Sequence, residues 1–237
     1  MNGFGESIRT AFDLIVNADP SLVRTVALSL SVSGSACLLG AGIGLTLGAW
    51  LSVARFPGHR LAVLGVNTLL ALPSVVVGLV VYLLLSRSGP LGSWGILFTP
   101  GAMVMAQTIL VLPVIAALTR QLVGDSLRDG GDQLRSMGAG PLTCALLMLL
   151  HDRWAVLMVL IAAFGRAISE VGAVMVVGGN IDGVTRVMTT AIALETSKGD
   201  LPLAMALGIV LLLVVGLINL GLSFAQRGRG SALAGVR

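Results

Sequence analysis

Arg166 and Glu170 stand four residues apart in a stretch, 153–177, that is otherwise uncharged after Arg153. A charge deep in a bilayer costs at least about 2.5–3.5 kcal/mol on insertion scales, so both side chains must face protein or water. On a helix, i,i+4 spacing lets them meet. The pair has two readings: a neutralised bridge that locks helices together, or the polar lining of a pathway whose arginine attracts an anion. Asn67, Gln107 and Ser169 lie in similarly apolar surroundings and are companion candidates for that lining or its gate.

Other chemistries lack their residues. A phosphate-binding loop needs Gly-Lys-Ser/Thr, but the only lysine, Lys198, is followed by Gly199. ATP hydrolysis by that route is therefore excluded for this chain. His59 and His151 are far apart, and no Cys/His/acid spacing resembles a metal site. The apolar stretches hold serines but no His or Asp, so an intramembrane protease is not indicated either. Cys37 and Cys144 imply no disulfide framework. We expect no enzyme activity and no metal.

The elements that must position the pair follow from composition. Of 237 residues, 56% are hydrophobic and 11% charged, against about 45–50% and about 25% in soluble domains. A water-soluble globule is excluded. Runs long enough to cover the hydrocarbon core, about 20 residues in a helix, predict five transmembrane helices at about 25–54, 61–86, 101–119, 153–177 and 201–226. Pro141–Leu150 is too short to span and reads as a short helix lying against the others. Residues 1–20 lack the apolar core of a cleaved signal peptide. The fold class is an all-α integral membrane protein of one domain, with no sign of nucleic-acid binding.

Basic residues orient the spans. Arg55, Arg60, Arg120, Arg128, Arg135, Arg153, Arg227, Arg229 and Arg237 fall on one side, against Arg9, Arg24, Arg87, Arg186 and Lys198 on the other. The richer side faces the cytoplasm, which puts the N-terminus outside and the C-terminus in the cytoplasm. Ala36, Gly40, Gly44 and Gly48 place small residues on one helix face, a surface for close packing against another helix. Pro73 and Pro113 are each expected to kink a span. Thr185–Ser197 reads as a short amphipathic helix before the last span.

The segment 120–152 is too charged and too long for a simple connector. It carries Asp132-Gln133-Leu134-Arg135, then Gly138, then Met148 and Leu150. This spacing resembles the coupling loop of ATP-binding-cassette (ABC) importer permeases: Glu-Ala-Ala, three residues, Gly, nine residues, Ile-x-Leu-Pro. Gln133 and Leu134 replace the alanines and His151 stands where the family has proline. Residues 166–181 and 185–196 resemble the permeases of tungstate importers, and more loosely those for molybdate and sulfate, as do 72–78 and 86–92.

The resemblance implies a permease domain over 24–226, an extracytoplasmic segment 1–23 and a cytoplasmic tail 227–237. It further implies short coupling helices in 120–152, with Gly138 making the turn between them. The partners it implies are a second copy of this chain, two ATPase subunits holding ATP and Mg, and an extracytoplasmic oxyanion-binding protein. The location would be the cytoplasmic membrane of a bacterium or archaeon, and the cargo tungstate or molybdate. An ion-coupled secondary transporter or channel without an ATPase is the competing expectation.

Overall fold

The computed structural model describes residues 3–17 and 19–234. In chain order its helices are α1 (Gly3–Val16), α2 (Pro20–Val53), α3 (His59–Leu69), α4 (Ser74–Leu85), α5 (Pro100–Ser136), α6 (Pro141–His151), α7 (Arg153–Ile168), α8 (Gly172–Gly178), α9 (Met188–Lys198) and α10 (Leu201–Ala234). No strand occurs among the described residues. α2, α5 and Leu201–Gly221 of α10 are long and apolar enough to cross a membrane. Two sharply bent pairs, α3 with α4 and α6 with α7, bring the candidate spans among the described residues up to five if each pair counts as one span.

The breaks differ from the expected spans. Residues 61–86 do not form one kinked helix: α3 and α4 meet at 97°. Pro73 has no N–H to continue α3 and pushes Leu72 out of helical geometry. α3 instead closes on tight turns, Leu70 N to Asn67 O and Ala71 N to Thr68 O. Pro113, by contrast, is accommodated within α5. Residues 153–177 are interrupted after Ile168, with α8 starting afresh at Gly172. The charged half of 120–152 is no loop either, because α5 runs unbroken for 37 residues to Ser136. At 1.5 Å per residue it is about 55 Å long, well beyond the ~30 Å hydrocarbon core. α6, meeting α7 at 79°, is the short helix expected at Pro141–Leu150.

Contacts divide the chain into two compact units, 30–185 and 1–29 with 186–237. In the first, α2 lies against α5 along the predicted small-residue face. A Cβ built on Gly48 would come within 2.5 Å of Ala116 O, and one on Gly44 within 2.8 Å of Ile115 Cγ2. The absent side chains let the two helices approach almost backbone to backbone. Cys37, Val111, Ile115, Val159, Ala163 and Ala167 form the buried cluster that joins α2, α5 and α7. α4 and α8 make a second close pair, in which a Cβ on Gly78 would meet Ala173 Cα at 2.9 Å.

In the other unit, Ala11, Leu22, Met188, Ala206 and Val210 bury one another. Ser29 Oγ accepts the Met188 N–H at 2.8 Å and so satisfies the first turn of α9. Asp19 opens α2, its Oδ1 accepting the Ser21 and Leu22 N–H groups. The Ser21 hydroxyl, followed by the Leu22 N–H, holds the Asp19 carboxyl below its ordinary pKa. The capping contribution is therefore present at neutral pH and lost as pH falls below the usual carboxylate range.

The α2–α5 contact makes a direct prediction. Gly48→Ala forces a methyl against a backbone carbonyl and should cost about 1–3 kcal/mol of stability. Gly42→Ala, with nothing within 4 Å of the new Cβ, should leave stability unchanged or raise it. Thermal unfolding of the two variants in detergent measures the difference, and equal behaviour would contradict the contact.

Candidate functional site: a stapled helix break and a turn at the end of α5

The ion pair sits at the α7–α8 break. Helix α7 ends with Ser169 N bonded to Gly165 O and Glu170 N to Ala167 O. The Glu170 carboxylate then reaches both ways. Its Oε2 accepts Arg166 Nη1 at 2.9 Å, and its Oε1 accepts the Ala173 N–H at 3.2 Å. One side chain thus staples the end of α7 to the start of α8, supplying an acceptor to a helix N-terminus where a negative charge is favoured. The Glu170 side chain is 3% exposed while that of Arg166 is 42% exposed. The carboxylate is spent inside, and the guanidinium keeps an open face.

Gln107 completes the junction from α5. It is 3% exposed, and its Nε2 donates to Ala167 O at 3.0 Å, a second donor to the carbonyl that already accepts the Glu170 N–H. Its Oε1 is buried without a protein partner. Ser169 is exposed and its hydroxyl donates back to Arg166 O. Asn67 lies apart from this group, exposed on α3 with no side-chain bond to the others. Arg166, Glu170, Gln107 and Ser169 are therefore brought together, and Asn67 is not.

At the far end of α5 the helix closes in a Schellman turn. Ala139 N bonds Leu134 O and Gly138 N bonds Arg135 O, with Gly138 at φ +84. That left-handed geometry suits glycine. α6 begins directly after, with Pro141 in its first turn. The predicted residues separate into two sets. Asp132, Gln133 and Arg135 are exposed, Arg135 bonding Asp132 at 3.1 Å, and Leu150 is 72% exposed. Leu134 and Met148 turn inward and pack with Ala49, Val123, Leu127, Cys144 and Ala145.

Two features of this end were missed in the sequence. Met137 is 82% exposed at the apex of the turn, an apolar side chain that its charged neighbours conceal from a hydropathy scan. The Ser126 hydroxyl donates to Asp152, tying α5 to the α6–α7 corner. Asp152 stands just before α7, and that position was its only sequence signal. A groove of about 570 Å³ runs between α5 and α6, lined among others by Asp129, Gln133, Leu147 and His151.

Three helices long and apolar enough to cross a membrane, with two bent pairs beside them, mark a multi-pass membrane protein. No protein-family model matches the chain. It is 41% identical over 223 residues to the tungstate uptake system permease protein TupB of Peptoclostridium acidaminophilum, covering 92% of this chain and 96% of that one. It is 43% identical over 215 residues to a probable anion ABC transporter permease protein of Haloferax volcanii, covering 88% and 93%. The TupB of Campylobacter jejuni matches at 38% over 214 residues, 90% of each chain. Relatives named for sulfate or molybdenum transport match at lower identity. The chain belongs to this family of anion ABC-transporter permeases.

The staple predicts thermodynamic coupling. Arg166→Ala leaves Glu170 buried with one less donor, and adding Glu170→Gln should recover part of the loss. A double-mutant cycle on thermal unfolding should give a coupling of about 0.5–3 kcal/mol. Additivity within error would show that the two side chains do not stabilise each other.

Proposed function

We propose that this chain is the membrane subunit of an ATP-driven importer of a tetrahedral oxyanion, tungstate first and molybdate second. What carries the reading is identity of 38% and 41% over at least 90% of the chain to permeases named for tungstate uptake. In this reading two copies pair and two ATPase subunits holding ATP and Mg bind them. An oxyanion-binding protein outside the cell delivers the cargo, and this chain binds no cofactor of its own. The N-terminus is extracytoplasmic and the C-terminus cytoplasmic, in the cytoplasmic membrane of a bacterium or archaeon.

α5 gives the reading a mechanical basis. Its last turn, Asp132–Ser136, with Met137 and Gly138 is the surface on which the ATPase docks. Gln107 lies on the same helix, about 38 Å away at 1.5 Å per residue. Displacement of the docking turn reaches Ala167 O through one continuous rod, shifting the end of α7 and with it the Arg166–Glu170 staple. A staple that can change length or partner is a two-state element, which alternating access requires.

Arg166 supplies the anion attraction in this scheme. At an effective dielectric of 20, each unit of anionic charge about 4 Å from the guanidinium gains about 4 kcal/mol, an attraction that the paired Glu170 carboxylate partly offsets. The net is weak and favourable, enough to admit an oxyanion without trapping it. Selection then rests with the binding protein, which can surround the anion with donors.

The test is labelled-tungstate uptake by proteoliposomes holding this chain, its ATPase and its binding protein. Uptake that needs ATP, competed by molybdate more than by sulfate, is expected; ATP-independent flux would identify an ion-coupled carrier or channel instead. Gly138→Asp, which strains the left-handed turn, should leave the protein inserted while ATPase association and uptake fall together. Arg166→Ala should reduce uptake per folded molecule, whereas a fall in melting temperature alone would make the pair purely structural.

A further inference from the structure

A second basic feature lies away from the Arg166–Glu170 pair. The end of α2, the α2–α3 turn and the distal part of α5 enclose a cleft of about 1540 Å³, rimmed by Arg55, Arg60, Arg128 and Arg135 with one carboxylate, Asp132, among them. Two of these charges are answered locally. Arg128 bonds Asp125 at 2.8 Å and Arg135 bonds Asp132 at 3.1 Å. Arg55 and Arg60 are exposed and have no acidic partner among the described residues.

The turn that carries them is built. His59 Nε2 lies 2.8 Å from Leu51 O at the end of α2. Phe56 stacks on Trp50 at 5.4 Å and meets the His59 ring edge-on at 5.6 Å. Gly58 takes φ +91 to let the chain enter α3. Two unanswered guanidinium groups are thus held on a braced turn instead of a free loop. Arginine's planar fork suits tetrahedral oxyanions, phosphate among them.

The remaining lining identifies the source of the anion. Val53, Leu61, Leu127 and Pro141 add apolar wall to the basic rim. The cleft opens where the uncharged run 25–54 ends at Arg55, and Trp50, 45% exposed, stands one turn inside that boundary. Aromatic residues followed by cations mark headgroup depth in a bilayer. We infer that the α2–α3 end of this cleft, away from the docking turn at Asp132–Ser136, is an oxyanion site filled by the phosphate of an anionic phospholipid, with Arg55 and Arg60 as its principal donors and Val53 and Leu61 against the acyl chain.

The experiment uses the full-length chain purified in detergent. Native mass spectrometry with dioleoylphosphatidylglycerol and dioleoylphosphatidylcholine in equal amounts should show selective retention of the anionic lipid. Arg55→Gln with Arg60→Gln should weaken that retention roughly 30-fold. The charge-keeping pair Arg55→Lys with Arg60→Lys should fall between wild type and the Gln pair, keeping the charge attraction without the planar fork, which separates lost binding from lost folding. Arg87→Gln, outside the cleft, should change nothing.

A parallel titration with inorganic phosphate and tungstate tests the soluble source. Arginine-dependent binding of either salt without lipid selectivity would keep the oxyanion site but overturn the lipid as its occupant. Equal lipid and salt binding by wild type and the Gln pair would overturn the site altogether.

Discussion

The approach of α2 to α5 is the constraint on which the larger unit depends. In a bilayer, lipid tails are as apolar as leucine, so burying leucine gains little; helices associate through close van der Waals contact and the occasional hydrogen bond. Gly40, Gly44 and Gly48 maximise that contact by removing the side chains that would hold the backbones apart. α5, fixed in this way along its apolar half, becomes the reference for the rest of the unit. α7 attaches to it through Gln107 and the Val111–Ile115 surface, and α6 through Ser126 and the Gly138 turn.

Breaking a helix inside a membrane exposes carbonyl and amide groups that lipid cannot satisfy, so a break survives only where protein supplies the partners. The α7–α8 junction meets that demand with two side chains. Glu170 provides an acceptor to α8, and Gln107 provides a donor to the end of α7. A residue that looks like a costly buried charge is therefore also a backbone-capping group. Its cost is offset twice, once by Arg166 and once by the Ala173 amide. The Glu170 carboxylate therefore has a structural task at the break, separate from any role of the exposed Arg166 guanidinium.

Much of this arrangement is legible in residue types. The scarcity of charge marks the membrane segments, the glycine spacing marks a packing face, and the separation of Arg166 from Glu170 survives as a 2.9 Å contact although the helix they were read on ends between them. What the sequence conceals is continuity. Asp125–Ser136 is polar, and Gly130-Gly131 argues against helix by intrinsic propensity; yet the segment stays helical because Val123, Leu127 and Leu134 pack against α6 and the end of α2. Pro73 errs in the opposite direction. A proline that could have bent a helix, as Pro113 is absorbed within α5, instead ends one, since the residues before it close on their own tight turns. Asn67 illustrates a further limit: polarity within an apolar run gives depth, but not which face the residue occupies.

The bond from the Met188 amide to Ser29 joins residues 159 positions apart. A ribosome adding about 5–20 residues per second needs roughly 8–30 s to cover that interval. Throughout it, α1 and the first turns of α2 have emerged while α9 and α10, which bury Ala11 and Leu22, do not yet exist. Biogenesis of this chain therefore includes an obligatory waiting period, in which its earliest helices must be sheltered by the insertion machinery or by lipid until its last ones are made.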